Sequence, residues 1–318
     1  MRRKYCIASV LLLCVALEFC ACGKKKTEEI NIGYSRLRIS LPVFVAQEKG
    51  FFRKHGLNVK LEMFDTAQPL MDALCSGHID IAGYTALPIT FNAQFRSGKD
   101  LLYTTLMMED AAHPISMFVV ARNKTIRSLS ELRGKKIGIL PTFAYRAWLE
   151  LILKKNGIPL NEVEIQQVAP AMTPTALASG TVDVMFTNDP AVTTSVQKGA
   201  GTLLTEDAVI PGYMWSPFPF ASFNITREYA SAHPKNTRAI VDALNDAISF
   251  IAENQGEARK IMAAFLPEAQ KPFVEHYPDA LFTPSKFVTT GQLQKVKQAY
   301  LNQKILKGDL NLSTALFQ

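Results

Sequence analysis

The sequence predicts a mixed α/β protein of two similar lobes that face each other across a ligand cleft, and three observations carry that expectation. A nine-residue unit, Ala73-Leu74-Cys75-Ser76-Gly77-His78-Ile79-Asp80-Ile81, returns 103 residues later as Ala176-Leu177-Ala178-Ser179-Gly180-Thr181-Val182-Asp183-Val184, with Ala, Leu, Ser, Gly and Asp in the same frame. Each copy reads as the end of an amphipathic helix, a glycine in the left-handed cap position and the start of a strand. Each strand then runs into a proline-bearing turn, at residues 84–88 and 187–191. The length of 318 residues, 48% of them hydrophobic, is enough for two cores. Ligands in open α/β sheets lie outside the carboxyl ends of the strands, so the two turns line opposite walls of one cleft.

The N-terminus is read apart from the fold. Arg2, Arg3 and Lys4 precede an apolar stretch at 7–17 that is shorter than a bilayer span, which is the pattern of an export signal. The stretch ends in Phe19-Cys20-Ala21-Cys22-Gly23 before a polar tether. This resembles a bacterial lipoprotein signal, in which a small residue precedes the cysteine that is lipidated, and Cys22 is the candidate. The other reading is a plain secretory peptide cut near Ala21. Either way the mature chain works outside the cytoplasm. Losing residues 1–21 removes three basic residues and one acid, lowering the net charge from +7 to +5. That charge is spread over helices rather than set beside aromatic side chains, so nucleic acid is not an expected partner. Only Cys22 and Cys75 remain in the mature chain, too few for a disulfide framework.

The elements follow from local pattern. A strand begins at Asn31, residues 35–42 form a loop, and a helix from Val43 is stopped by Gly50. A corner at 51–57 leads into an alternating strand at 58–64, and the first repeat follows. A helix at 87–96 and a strand at 99–107 complete the first half. The continuous apolar run at 115–121 reads as a buried strand carrying the chain into the second lobe. There a short capped helix closes at Gly134, and a strand at 137–140 precedes a helix at 146–156 that ends at Gly157. A strand at 162–168 and the second repeat finish that lobe. Residues 211–220 are rich in proline and aromatics, 221–226 is the return strand, and helices at 237–253, 255–265, 271–277 and 290–304 pack on the first lobe. The expected organisation is therefore a signal at 1–21, a tether at 22–29, lobe one at 30–117 and 222–318, and lobe two at 118–221.

The run Val45-Ala46-Gln47-Glu48-Lys49-Gly50-Phe51-Phe52-Arg53-Lys54-His55-Gly56-Leu57-Asn58-Val59, with Gly33-Tyr34 before it, resembles the opening of the solute-binding proteins of ABC importers in the nitrate, sulfonate, taurine and thiamine-precursor group. The two repeat units and the step from Leu129 to Ile137 resemble the same group, so the likeness covers nearly the whole mature chain. It implies a type II periplasmic-binding-protein-like fold. It also implies that ligand meets four loops: the one after the first strand, with Ser35, Arg38 and Leu41; the turns after the repeats, with Tyr84 and Thr85 and with Asn188 and Asp189; and a helix start in lobe two, with Thr142, Phe143, Tyr145 and Arg146.

Each of these residues also has a structural reading. Tyr84 either points into the cleft or packs between the lobes, and Thr85 and Asp189 are natural helix caps. Arg146 stands either at an anion-attracting helix start or on a solvated face. Trp215, with Tyr213 and Phe218, either stacks on a planar ligand or closes the hinge. Trp148 falls at helical spacing and reads as core.

No nucleophile elbow, zinc-binding histidine pair or phosphate loop appears, and the five histidines are scattered, so catalysis and metal chemistry have little support. The expectation is a lipid-anchored, monomeric binding protein without cofactor. It passes a small planar heterocycle, a thiamine-pyrimidine precursor or flavin-like molecule, to an ABC permease and its ATPase. A sulfonate, taurine or nitrate cargo, a ligand-sensing lipoprotein without an importer, and an enzyme of thiamine-pyrimidine synthesis are the competing readings.

Overall fold

The computed structural model describes residues 28–205 and 207–317. The export signal and Cys22 lie outside the described residues. Strands β1 (Glu29–Ser35), β2 (Asn58–Phe64), β3 (Ile81–Ala86) and β4 (Leu101–Glu109) belong to one sheet. Strands β5 (Met117–Ala121), β6 (Lys136–Ile139), β7 (Glu164–Gln167), β8 (Val184–Thr187) and β9 (Gly201–Leu203) form a second, and β10 (Phe218–Thr226) and β11 (Leu281–Thr283) return to the first. The orders are β11-β4-β10-β3-β1-β2 and β7-β6-β8-β5-β9. β1 is parallel to β2 and β3, while β10 runs antiparallel between β3 and β4. Hence β1, β3 and β4 all end on one edge of their sheet. In the second sheet β6 is parallel to β7 and β8. The chain changes sheets at residues 110–116 and again at 204–217.

Twelve helices accompany these strands among the described residues: α1 (Leu41–Glu48), α2 (Phe51–Lys54), α3 (Ala67–Ser76), α4 (Leu87–Ser97), α5 (Phe143–Lys155), α6 (Thr173–Ala178), α7 (Ala191–Gln197), α8 (Val209–Tyr213), α9 (Arg227–Ala232), α10 (Pro234–Glu253), α11 (Gln255–Ala263) and α12 (Thr290–Asn302). The repeat is structural in both lobes. α3 stops at Gly77 with φ +78°, and α6 runs out through Ser179 into Gly180 with φ +74°, a conformation that costs other residues about 1 kcal/mol or more. The repeated aspartates do one job twice. Asp80 Oδ2 accepts from Asn31 N at 2.8 Å while Asp80 N donates to Asn31 O; Asp183 Oδ2 accepts from Lys136 N at 2.8 Å while Asp183 N donates to Lys136 O. Each aspartate thus pins the start of a parallel strand, β1 in one sheet and β6 in the other.

The core is continuous through the crossovers. Phe118 and Val120 of β5 face the large cluster shared with the first sheet, and Met117, Val119 and Ala121 face a smaller one with Leu177, Val182 and Met185. Trp148 is fully buried against Phe220, as its spacing predicts. Two expectations are corrected. Residues 271–276 form 3-10 turns instead of a helix, the run being too short to gain much from the wider α-helical ladder. The return strand starts at Phe218, three residues early, and includes a proline. Pro219 is tolerated because the ladder shifts register between Pro219 and Ala221, and pairing with β3 begins only at Ala221.

Candidate functional site

The carboxyl ends of β1 and β4 in one sheet and β8 in the other converge on a buried polar cluster, with Arg38 at its centre. Arg38 lies in a 3-10 turn (Arg38–Ser40) after β1 and is 2% exposed. Its Nη1 donates to Pro278 O and Asp279 O, both at 2.8 Å, and its Nη2 donates to Pro114 O. Its backbone N–H reaches Asp189 O at 3.4 Å, so a turn of lobe one touches a turn of lobe two directly. Burial lowers the guanidinium's affinity for its proton, and Asp189 and Glu109 oppose that.

Asp189, 1% exposed, follows β8 through Asn188 and is joined to Pro190 by a cis peptide bond. Its Oδ1 accepts from Thr193 N at 2.9 Å in α7. Its Oδ2 lies 4.0 Å from Arg38 Nε, too far for a hydrogen bond, and both atoms lack a partner. Glu109 ends β4, fully buried. Its Oε1 accepts from Ile115 N at 2.8 Å, from Ser116 N and from Ser116 Oγ at 2.7 Å, while Oε2 has no partner. Burial pushes this carboxyl up to about 7 despite those donors and Arg38.

Hydroxyls complete the cluster. Ser35 Oγ at the end of β1, Ser40 Oγ and Thr187 Oγ1 at the end of β8 are buried without a partner, as is the Asn188 Oδ1 acceptor. Tyr145 OH faces the Asn188 amide without hydrogen-bond geometry, and Tyr277 OH stands in the same relation to Thr194. Burial raises both phenols. An unsatisfied buried polar atom costs about 1–3 kcal/mol, and in this set, drawn from both lobes, the protein supplies partners for only part of the hydrogen-bonding capacity. At its mouth lies a cavity of about 580 Å³, lined from lobe one by Arg36, Leu37, Asp65, Gln270 and Pro267 and from lobe two by Pro141, Pro170 and Pro190.

Of the residues singled out from sequence, Ser35, Arg38, Tyr145, Asn188 and Asp189 meet in this cluster. Thr142 supports it, its hydroxyl capping α5 by accepting from Tyr145 N at 3.4 Å. Leu41 is a buried first residue of α1.

The others are placed elsewhere. Tyr84 is core: its hydroxyl is satisfied by Thr105 Oγ1 at 2.6 Å, and its ring packs edge-on against Phe223 and Phe282. Thr85 is consumed by Thr90 Oγ1 at 2.6 Å and by Asn224 Nδ2 at 2.9 Å. Phe143 and Arg146 face outward into a different groove, of about 470 Å³, with Lys154 and Gln303; Arg146 pairs there with Glu150, one turn along α5. Trp215 is half-buried in the second crossover, with Lys295 Nζ 4.2 Å above its ring.

Ser40 falls within the loop after the first strand that the resemblance pointed to, and four cluster members were missed from sequence. Thr187 and Thr194 are ordinary small polar residues, and Tyr277 has no local signal. Glu109 had one, as the single charge closing an otherwise uncharged nine-residue strand.

The sequence signature of the NMT1-like family matches residues 23–266. The bicarbonate transport ATP-binding protein CmpC of Synechococcus elongatus is 26% identical over 254 residues, which is 74% of this chain and 38% of that protein, so the chain spans well under half the length of the curated relatives it matches first. A putative thiamine biosynthesis protein of Haemophilus influenzae is 24% identical over 229 residues, 71% of this chain and 69% of that one. Among solved structures, the alkanesulfonate-binding protein SsuA of Xanthomonas axonopodis superposes with a TM-score of 0.71 at 21% identity, over 91% of this chain and 98% of that one. The desulfurization enzyme DSZB superposes at 0.64 with 14% identity, over 91% of this chain and 96% of that one. One fold therefore serves binding proteins and an enzyme alike.

Proposed function

The chain belongs to the NMT1-like family, and from that premise we propose that it is the extracytoplasmic substrate-binding protein of an ABC importer. Its fold is that of the periplasmic binding proteins, as the sequence resemblance implied. The observation that carries the functional reading is the buried cluster of unpartnered polar atoms contributed by both lobes. Such atoms favour lobe closure only when a guest supplies their hydrogen bonds, which is how a two-lobed receptor couples capture to a shape its permease reads.

The cluster also favours a class of cargo. Its bare acceptors are Asp189 Oδ2, Asn188 Oδ1 and, when ionised, Glu109 Oε2, against one bare nitrogen of Arg38 and a set of hydroxyls that can either give or accept. Two carboxyl groups surround one guanidinium, whose other nitrogens already serve backbone carbonyls. A guest rich in N–H donors balances this set, and the flanking Tyr145 and Tyr277 suit a planar ring. We therefore read the cargo as a small heterocycle with amino or ring N–H groups, a thiamine-pyrimidine precursor or flavin-like molecule. Arg38 is the observation behind the second reading, a sulfonate, taurine or nitrate anion.

Mass spectrometry of ligand released from the purified mature domain decides between them, together with thermal-shift screening of 4-aminopyrimidines, riboflavin, taurine and nitrate. A hundredfold excess over Kd stabilises the protein by about 3 kcal/mol. A heterocycle that shifts the wild type but not Asp189→Ala supports the donor reading; an anion whose effect vanishes in Arg38→Gln replaces it. Turnover of the recovered compound would remove the binding-protein reading altogether. The proposed membrane anchor is tested separately, since Cys22→Ala releases a lipoprotein from membranes and continued association defeats that assignment.

A further inference from the structure

Glu109 ends β4 where the first crossover begins, and it is fully buried, outside the lining of the cavity described above. Its Oε1 takes three donors from Ile115 and Ser116 in the first crossover. Ser116 then reaches the second: its Oγ accepts from Ile210 N at 3.0 Å, and its carbonyl accepts from Val209 N at 3.0 Å. One oxygen of the carboxyl therefore ties the two connecting segments together. The other, Oε2, is bare. The titratable and charged groups that face Glu109 are Arg38 from the turn after β1, Tyr145 from α5 and Tyr300 from α12. Tyr145 OH, Tyr300 OH and Arg38 Nε have no hydrogen-bond partner either, so none of them satisfies Oε2.

A clasp alone needs only one oxygen, which an amide supplies as well. A buried carboxylate with one oxygen saturated and the other exposed to nothing is costly unless a donor arrives. We propose that Glu109 is a specificity-determining residue of the cleft, receiving an N–H donor of the ligand on Oε2 while Oε1 holds the two crossovers, so that occupancy is felt directly at the hinge. This rests on the donor-bearing cargo proposed above. It adds a residue that neither the repeat turns nor the helix starts contain, and it gives the cleft a reason to discriminate against anions.

The test is calorimetric titration of 4-aminopyrimidine into the wild type and into Glu109→Gln, from about pH 6 to 8, with melting temperature as the folding control. The amide keeps an oxygen for Ile115 and Ser116 but presents an N–H where the ligand's own N–H must lie. Glu109→Gln is therefore expected to bind roughly tenfold or more weakly. Wild-type affinity is expected to fall as pH drops through about 7, where the carboxyl takes up a proton, and the variant is expected to lose that dependence. A clasp without ligand contact would alter the melting temperature and leave the pH profile of binding unmoved. Equal affinity and pH profile in variant and wild type overturn the assignment while leaving the solute-binding reading intact. Should the variant not fold, a flat wild-type affinity across the same range overturns it without any variant. Failure of the wild type to bind 4-aminopyrimidine, or its preference for nitrate or taurine, overturns the donor reading and this assignment with it.

Discussion

Asp189 unites two roles that local reasoning holds apart. One oxygen caps α7 through Thr193 N, and the other faces Arg38 across the lobe boundary. Asp189→Ala should lower stability by about 1 kcal/mol through the lost cap, and should abolish the ligand-induced thermal shift, which a cap alone would leave in place. Glu109 has a pH signature of its own. Its folded carboxyl sits at about 7, above the ordinary glutamate value near 4.3, so the folded state binds the extra proton. Ligand-free stability is therefore expected to fall as pH rises from roughly 4.3 to 7, and Glu109→Gln should flatten that slope in denaturant titrations. At this scale the sequence was partly legible. Asp189 and Ser35 follow strands that declare themselves, so their positions at carboxyl ends could be read. Glu109 and Tyr277 lie 80 and 88 residues from Asp189, and only the crossovers bring them near it. Tyr84 was misread because its partner Thr105 sits on β4, beyond the intervening β10, where no local pattern points.

Among the elements, the helix-glycine-strand unit was the most legible, because the left-handed glycine cap and the apolar strand after it are written in adjacent residues, although β3 and β8 are buried at every position rather than on alternate faces. Its aspartate was conspicuous, yet its purpose shows only in three dimensions. Asp183→Ala removes the acceptor for Lys136 N and the ion pair with Lys124 at 2.8 Å, and should cost about 1–3 kcal/mol. Burial alone would raise the Asp183 carboxyl; Lys124 and the Lys136 amide outweigh it and hold it below the usual range. That contribution is present above the unfolded value near 3.9 and is lost as pH falls through the folded one, so the variant should lose less stability than wild type on acidification. Where β1 and β3 pass each other, a Cβ on Gly83 would sit 2.7 Å from the Gly33 carbonyl oxygen. Gly83→Ala must therefore displace backbone rather than a side chain, and should destabilise lobe one by about 1–3 kcal/mol in thermal unfolding. The start of β10 was not legible, since a proline inside a central strand is admitted only by the bulge that the neighbouring strands create.

For the whole molecule, the two sheets could be read from the duplicated unit, whereas the buried polar cluster, drawn from a crossover as much as from the turns, could not. Small-angle scattering should show a smaller radius of gyration on adding saturating ligand. An unchanged radius would separate binding from closure. The mouth of the cleft carries a consequence for what the protein accepts. Pro141, Pro170 and Pro190 face Pro267 across it, and proline has no amide hydrogen to give. That face offers contact without direction, while Arg36, Asp65, Gln68 and Gln270 on the rest of the rim bring charge and hydrogen-bonding groups. On the donor reading proposed above, a change at the head of the cargo should abolish binding, whereas a change in the substituent behind it should matter only where it meets one of those side chains. Selectivity would then be strict at one end of the cargo and looser at the other, a division of labour along the length of the bound molecule.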